Sequence, residues 1–169
     1  MILAKIAFGG GCHWCTESVF TSIKGVKKVD QGWIASIDEA ASFSEAVIVC
    51  FDSEEISEKL LIEIHLATHS SASKHSMRSK YRSAIYIFND LQEQRVLNFL
   101  QGFQTDNDIN LVTQVLPMTT FKLNDEQYLD YLTKNKKSQF SERYIHPKLK
   151  LVNDKFGNLK KDRINLINH

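Results

Sequence analysis

Residues 3–25 read LAKIAFGGGCHWCTESVFTSIKG, and this stretch decides how the chain begins to fold. The apolar run before the glycines alternates in part, which predicts a β-strand. Three consecutive glycines end that strand, because glycine adopts backbone angles that other residues avoid. The residues after Cys12 place apolar side chains at helical spacing and stop at Gly25, which predicts a helix. A strand, a glycine turn and a helix therefore follow in order, with a cysteine at the corner.

Two cysteines, Cys12 and Cys15, lie at the predicted start of this helix. A thiol in a first helical turn faces unpaired N–H groups and the positive end of the helix dipole, which lower its pKa. Cys12 is therefore predicted to be a nucleophile, and the glycines leave room above it for a substrate. Cys15 lies on the same helix face, where the two thiols can close to a disulfide. An inert, packed Cys15 fits the spacing equally well.

Strands and helices alternate along the rest of the chain. Three further strands are predicted at 44–51, 83–88 and 111–117, and three further helices at 53–68, 90–103 and 124–135. Serine or aspartate caps and one-sided apolar patterns support these helices. The serine-rich stretch between Thr68 and Tyr81 has no periodicity and is predicted to be a loop. The alternation predicts a mixed α/β (α+β) two-layer sandwich, with residues 1–169 as a single domain.

The composition is that of an ordinary globular domain. Apolar residues make up 43% of the chain and charged residues 24%, which argues against a disordered protein. The formal net charge of +1 gives no strong field to attract nucleic acid or an anionic membrane. The residues before Lys5 are too few for a signal peptide, and no apolar run approaches the ~20 residues that span a bilayer. We therefore expect a cytoplasmic protein with no nucleic-acid or membrane partner.

The number of cysteines also bears on function. Three cysteines, two of them in one motif, indicate reactive chemistry in a reducing compartment and not a disulfide framework. Cys50 lies in an apolar strand and is predicted to be core. A zinc site that combines Cys12 and Cys15 with His69 and His75 is weakly supported, because a lone Cys-x-x-Cys lacks a second spaced pair. We therefore predict no bound metal.

Six blocks of sequence, in order, carry a resemblance that one block alone would not. FGGGCHWCTE at 8–17 is similar to a strand followed by Gly-Cys-Phe-Trp and a later Glu. GWIAS at 32–36 is similar to Gly-Tyr-x-Gly-Gly, and SEAVIVCFD at 44–52 to a Gly-His-Ala-Glu strand that ends in Phe-Asp. The later blocks are IHLAT, KYRSAIYIF and DEQYLDYLTKN, similar to Ile-His-Asp-Pro-Thr, Gln-Tyr-Arg-Ser-Ala-Ile and Tyr-His-Gln-x-Tyr-Leu. Over most of its length the chain resembles the A-type peptide methionine sulfoxide reductases.

The resemblance implies an enzyme with a ferredoxin-like core that reduces methionine S-sulfoxide, free or in peptides and proteins. That chemistry needs a thiolate to attack sulfur, a proton donor for the departing oxygen, and an apolar wall for the S-methyl group. By position, Cys12 is implied as the nucleophile, Glu45 as the acid, Tyr81 as a donor to the oxygen and Trp14 as the wall. Glu45 begins an apolar strand, and apolar surroundings would keep it protonated.

The sequence also departs from the family pattern. His13 stands where the family has Phe, which brings a titratable ring to the expected substrate pocket. The segment before the predicted acid is shorter, so an expected second tyrosine donor is missing, and Trp33 is the nearby substrate-binding candidate. Ser76, Arg78 and Lys80 stand at the positions of an Asp, a Gly and a Gln. The resemblance therefore implies a basic rim where the family has an acidic one.

Recycling of the nucleophile needs a second thiol. One turnover leaves Cys12 as a sulfenic acid, which is reduced by way of a disulfide. The family's distal recycling cysteines are absent, since no cysteine follows Cys50. Cys15 is therefore the predicted resolving residue. No bound cofactor is expected, because thioredoxin or another thiol can supply the electrons.

Two other functions stay open on the sequence alone. A divergent paralogue that binds sulfoxides or oxidised peptides with little turnover is favoured by the shortened segment and by Ser76. A general dithiol oxidoreductase would use Cys12 and Cys15 and would have no need of Glu45 or Tyr81.

Overall fold

A six-stranded sheet organises the computed structural model of the protein, which describes residues 1–69 and 80–159. The strands are β1 (Leu3–Gly9), β2 (Val26–Ala35), β3 (Ser44–Asp52), β4 (Ala84–Ile87), β5 (Gln114–Pro117) and β6 (Thr120–Leu123). Their order across the sheet is β5-β4-β1-β3-β2-β6. Neighbouring strands run antiparallel except for the parallel pair of β4 and β5.

Helices connect and cover these strands. They are α1 (His13–Thr21), α2 (Glu58–Thr68), α3 (Asp90–Asn107), α4 (Tyr131–Lys134) and α5 (His146–Phe156). Ser57 caps α2 by accepting the N–H of Leu60, and Asn89 caps α3 by accepting the N–H of Gln92. Helices and strands in one layered body confirm the predicted mixed α/β sandwich.

The two faces of the sheet bury different residues, because successive side chains of a strand point to opposite sides. Ile6 and Phe8 of β1 face the helices, where Phe20 of α1 stacks on Phe8 with 4.7 Å between ring centroids. Ala7 faces the other side, in a smaller cluster with Tyr86. Each large apolar side chain buried in this way stabilises the fold by about 1.5–3 kcal/mol. The larger core therefore fixes α1 against β1, and with it the turn that carries Cys12.

Two strands were not predicted from the sequence. β2 contains charged residues and a glycine, and β6 has four residues, so neither shows a clear strand pattern. β2 pairs with β3 along nearly its whole length and with β6 on its other edge. Cross-strand pairing stabilises β2 where its own pattern does not.

The predicted helix at 124–135 is wrong in most of its length. Only Tyr131–Lys134 is α-helical, after a 3-10 turn at Glu126–Tyr128. Asp130 takes the left-handed conformation, with φ 52°, which interrupts a right-handed helix. The buried carboxylate of Glu17 accepts the N–H groups of Asp130 and Tyr131. This long-range contact cannot be read from the local sequence.

α5 was not predicted from the sequence either. Leu149 and Val152 of α5 are buried, Leu149 in a cluster that includes Cys15. α5 follows a π-helical turn at Ser141–Ile145 and packs against α1 and α2. A helix that the sequence did not predict therefore packs beside Cys15.

Strand register and one glycine place the site at an end of the sheet. Gly9 of β1 pairs with Ala46 of β3, next to Glu45. Gly10 has φ +149°, and a Cβ there would lie 2.4 Å from the His69 ring. A side chain at residue 10 would therefore be strained and would also clash, so this turn requires glycine.

Candidate active site

Cys12 is the residue immediately before α1. Its carbonyl oxygen accepts the N–H groups of Cys15 (3.1 Å) and Thr16 (3.2 Å), which starts the helix. Its thiol is half-buried and is hydrogen-bonded to the thiol of Cys15, whose side chain is 3% exposed. The structure therefore brings the two cysteines together, as the spacing predicts.

The ionisation of this pair differs from the expectation. The hydrogen bond with Cys15, followed by burial, raises the pKa of Cys12, while the same bond lowers the pKa of Cys15. The backbone N–H of Trp14 acts on the pKa of Cys12 in the predicted direction but is outweighed. Lys148 of α5 further lowers the pKa of Cys15. The two thiols therefore differ in the direction opposite to the prediction, with the pKa of Cys12 raised and that of Cys15 lowered.

Glu45 is buried beside the start of α1. Its Oε2 accepts the backbone N–H of His13 at 3.0 Å, which places the carboxylate next to the residue that follows Cys12. The Lys80 ammonium lies 3.8 Å from Oε1, and the His13 ring nitrogen Nε2 lies 3.9 Å from Oε2. The strand predicted to begin at Ser44 is present, but the surroundings of its acid are polar and not apolar.

Lys80 joins the predicted acid to the predicted oxygen donor. Its ammonium nitrogen lies over the Tyr81 ring, 5.1 Å from the ring centre. The neighbouring Tyr81 side chain, and then the charge of Glu45, raise the pKa of Lys80. The Lys80 carbonyl accepts the N–H of Glu45 at 3.0 Å and the Ser44 hydroxyl at 2.8 Å. Residues 44–45 and 80–81 therefore form one hydrogen-bonded unit.

His13 lies behind Glu45, against the sheet. It is 4% exposed, so it is neither partly exposed nor stacked on the outside of the helix. Its Nδ1 contacts the carbonyl of Gly32 at 3.1 Å and therefore carries the proton, which leaves Nε2 to accept from the Asn124 amide at 3.4 Å. Asn124 also donates to Gln31 at 2.7 Å. Burial lowers the pKa of His13, which favours the neutral ring that these partners require.

Aromatic rings line the other side of Cys12. Trp14 stacks on Tyr131 at 4.0 Å between centroids and 5° between planes, and Phe140 meets it edge-on at 5.3 Å. Trp33 pairs with Glu45 across the strands, and its ring meets His13 edge-on at 5.2 Å. The two tryptophans therefore flank the helix start, as their predicted role in substrate binding requires.

Several residues of this site were missed. Tyr131 was placed on a predicted helix, and Asn124 and Lys148 were not considered. Lys80 was noted as part of a basic rim but was given no contact with Glu45. The repeated tyrosines of DEQYLDYLTKN were the available signal for Tyr131, whereas Lys148 lies on the helix that the pattern did not reveal.

Other residues named in the predictions lie away from the site or outside the described ranges. Cys50 was expected in the core, but it is half-buried because it shares a sheet face with its pairing partners Lys5 and Lys28. Both ring nitrogens of His69 are engaged, by the His65 carbonyl and the Ser83 hydroxyl. Three predictions concern residues outside the described ranges: His75, Ser76 and Arg78. Within residues 1–69 and 80–159, no group of three or more His, Cys, Asp or Glu could hold a metal ion.

Comparison with known proteins agrees with this arrangement. The sequence profile of the family described as "Peptide methionine sulfoxide reductase" matches residues 4–160. The peptide methionine sulfoxide reductase MsrA of Acinetobacter baumannii (strain SDF) is 31% identical over 175 residues, which covers 95% of this chain and 100% of that protein. The chain belongs to the peptide methionine sulfoxide reductase family. The predicted family is thus confirmed, and its members named MsrA are oxidoreductases.

Solved structures show the same fold. Methionine sulfoxide reductase A of Corynebacterium diphtheriae matches with a TM-score of 0.67 at 21% identity, covering 79% of this chain and 75% of that one. Mxr1 of Saccharomyces cerevisiae, solved in complex with Trx2, matches with a TM-score of 0.58 at 18% identity, covering 74% and 83%. Within the described part of the chain, no helix is long and apolar enough to cross a membrane.

Proposed function

We propose that this member of the family reduces the S-epimer of methionine sulfoxide, free or in peptides and proteins, to methionine. The observation that carries this proposal is the position of Glu45. Its carboxyl group binds the N–H of the residue after Cys12, so an acid lies beside the predicted nucleophile. Lys80 lies 3.8 Å from this acid and over the Tyr81 ring, which supports a place for Tyr81 in the same site. A dithiol exchange enzyme would need neither oxygen-directed group.

The first step is attack by Cys12 on the sulfoxide sulfur. Cys12 attacks as its thiolate, which forms when the thiol loses its proton to solvent. The thiolate forms a sulfur–sulfur bond, the sulfoxide oxygen takes two protons and leaves as water, and a sulfonium remains. Water then attacks the Cys12 sulfur, which releases methionine and a proton and leaves a sulfenic acid. Cys12 loses the two electrons that the substrate gains.

The substrate is held by the tryptophans. Trp14, backed by Tyr131, forms the wall for the S-methyl group, and Trp33 forms the opposite side. His13 was expected to line the same pocket, but its ring is buried and bonded to Gly32 and Asn124. Its backbone N–H instead positions Glu45. Glu45 and Tyr81 contact the oxygen.

Cys15 resolves the sulfenic acid. Its sulfur attacks the Cys12 sulfur, water leaves, and a disulfide joins the two residues. The hydrogen bond between the two thiols supports this pairing, although bonding needs the Cβ atoms about 3.5–4.5 Å apart, so the helix start must adjust slightly. An external dithiol such as thioredoxin then reduces the disulfide, a role supported by the yeast relative solved with Trx2. No bound cofactor is needed.

We place this reaction in one domain, residues 1–169, and in the cytoplasm. The single sheet of the described residues supports one domain. None of the three cysteines is in a disulfide, and thiol chemistry of this kind operates in a reducing compartment.

The test is a coupled assay with three substrates: a peptide with methionine S-sulfoxide, the R-epimer peptide, and free methionine sulfoxide. Thioredoxin, its reductase and NADPH supply electrons, and methionine formation is measured by mass. We expect turnover of the S-epimer peptide and of the S-epimer in free methionine sulfoxide, and no turnover of the R-epimer peptide. Absence of turnover with all three, despite binding of the peptide, would instead indicate a divergent binding paralogue.

A general dithiol oxidoreductase is the second candidate. The thiol hydrogen bond and the lowered pKa of Cys15 favour it, since exchange enzymes use such pairs. Reduction of insulin disulfides by the protein, without reduction of sulfoxides, would support this function over the first.

A further inference from the structure

Lys80 contacts both groups that face the sulfoxide oxygen in the proposed function. We propose that Lys80 is a further catalytic residue, whose ammonium binds the sulfoxide oxygen and supplies one of its two protons. This role rests on the proposed function. It would replace the tyrosine donor that is missing from the shortened segment before Glu45.

The geometry brings the ammonium to the required place. Its nitrogen lies 3.8 Å from Glu45 Oε1 and 5.1 Å from the centre of the Tyr81 ring. A group that reaches both neighbours also reaches the position between them, where an oxygen would contact both. An ammonium has three N–H donors, so it can keep these contacts and still donate to a substrate.

The main chain of Lys80 is held firmly while its side chain stays accessible. Its carbonyl accepts hydrogen bonds from Glu45 and Ser44, and the N–H of the buried Arg82 binds the Ser44 hydroxyl at 2.8 Å. The Lys80 side chain is nevertheless 54% exposed, so an entering sulfoxide can meet it. A donor fixed in advance near the developing charge is the arrangement that stabilises a transition state.

The chemistry gives the ammonium a definite task. When the Cys12 thiolate bonds to the sulfoxide sulfur, the electrons of the sulfur–oxygen bond move to oxygen. Lys80 gives this oxygen one proton and becomes an amine, and Glu45, which enters this step as a carboxylic acid, gives the second. The oxygen leaves as water, and solvent returns protons to Lys80 and Glu45. Total charge is unchanged in this step, because the ammonium and thiolate charges are replaced by a sulfonium and a carboxylate.

The experiment compares Lys80→Met, Lys80→Arg and the control Lys28→Met in the full chain. Lys28 is an exposed lysine on β2 that pairs with Asp30 at 3.3 Å, so its loss changes net charge without touching the site. The rate of sulfenic acid formation on Cys12 is measured in a single turnover at saturating methionine S-sulfoxide peptide. Binding of the corresponding methionine peptide, which lacks the oxygen, is measured beside it.

Lys80→Met is expected to slow the single-turnover step about 10²–10³-fold, the usual effect of losing a donor to a developing oxyanion. Lys80→Arg keeps a positive hydrogen-bond donor that cannot release its proton, so it should recover only part of the rate, whereas Lys28→Met should match the unchanged protein. Affinity for the methionine peptide should be unchanged in all three, because the proposed contact is with the oxygen alone.

Three results would overturn the inference, and they differ from one another. A Lys80→Met rate within about threefold of an active wild-type protein would remove Lys80 from the chemistry and leave the proposed function intact. A wild-type protein that forms no sulfenic acid with either epimer would overturn the proposed function and this role together. Equal loss of rate and of methionine-peptide affinity would show a structural role and would also contradict the proposal.

Discussion

Cys12 lies between two regions that differ in polarity and exposure. The oxygen side, formed by Glu45, Lys80 and Tyr81, is built on strand ends and backbone hydrogen bonds, and its lysine is half exposed. The thiol side, formed by Cys15 with Leu132, Ile145 and Leu149, is buried and mostly apolar. The difference indicates two separate tasks. An entering substrate can meet the exposed lysine of the oxygen side, whereas Cys15 is buried beside Cys12.

The largest effect on activity is expected at Cys12, which lies between the two regions. Cys12→Ser should abolish sulfoxide reduction, because a hydroxyl has neither the acidity nor the sulfur reactivity of a thiol. Methionine formation from the S-sulfoxide peptide is the measurement. Cys50→Ser, on β3 and away from the site, is the matched control and should retain full activity. More than trace activity in Cys12→Ser would place the nucleophile elsewhere.

The oxygen side can be broken at its acid. Glu45→Gln should slow the chemical step by about 10²–10⁴-fold, the effect of removing a positioned acid. Glutamine can still accept the N–H of His13, so the start of α1 should keep its shape. Single-turnover rates at saturating substrate measure the effect, with the surface variant Glu55→Gln as control. Weaker binding with an unchanged rate would make Glu45 a binding residue.

The thiol side can be broken at Cys15. Cys15→Ser should still form the sulfenic acid, since it removes the neighbour that raises the pKa of Cys12. Thioredoxin-supported turnover should fall by about tenfold or more, because a tethered thiol has a high effective concentration. Peptide mass mapping after one equivalent of substrate should find a Cys12–Cys15 disulfide in the unchanged protein only. Undiminished turnover in Cys15→Ser would show that an external thiol attacks Cys12 directly.

The smallest effect is expected for His13→Phe, beside Glu45, and it is an effect on stability. The substitution removes two buried hydrogen bonds. The Gly32 carbonyl and the Asn124 amide lose their partner, which should cost about 1–3 kcal/mol of unfolding free energy. Urea unfolding, with His146→Phe as the control for a surface histidine, measures this change.

The same variant has a predicted pH dependence. Burial lowers the pKa of His13 in the folded protein below its ordinary value of 6.5, so below that pH the unfolded chain takes up a proton first. Stability from the neutral ring is therefore complete above about pH 6.5 and is lost as the pH falls through the folded pKa. The stability difference between wild type and His13→Phe should narrow between about pH 8 and pH 5.5. A difference independent of pH would contradict the neutral, buried ring.

The two regions also differ in how far the sequence predicted them. The oxygen side lies in ordered blocks near β1, β3 and β4. Apolar patterns predicted these strands, and the resemblance of the blocks to the family implied Glu45 and Tyr81 as partners of Cys12. The contacts of Lys80 depend on strand register, which the pattern does not give. The thiol side depends on α5, which has few buried residues. It also depends on the Glu17 contact that interrupts the predicted helix at 124–135. Long-range hydrogen bonds of this kind leave no local signal.

The ties on either side of residues 70–79 have a consequence for engineering. His69 is bonded to Ser83 at 2.8 Å, and Lys80 is bonded through its carbonyl to residues 44 and 45, so both attachment points are fixed by contacts outside that segment. Replacement segments of other lengths would change mainly the entropy of closing a loop, which grows slowly with length, each doubling costing about 0.6 kcal/mol. Residues 69 and 80 are therefore natural junctions for chimaeras. Exchange of the intervening segment at these junctions should leave the contacts between Lys80 and Glu45 in place.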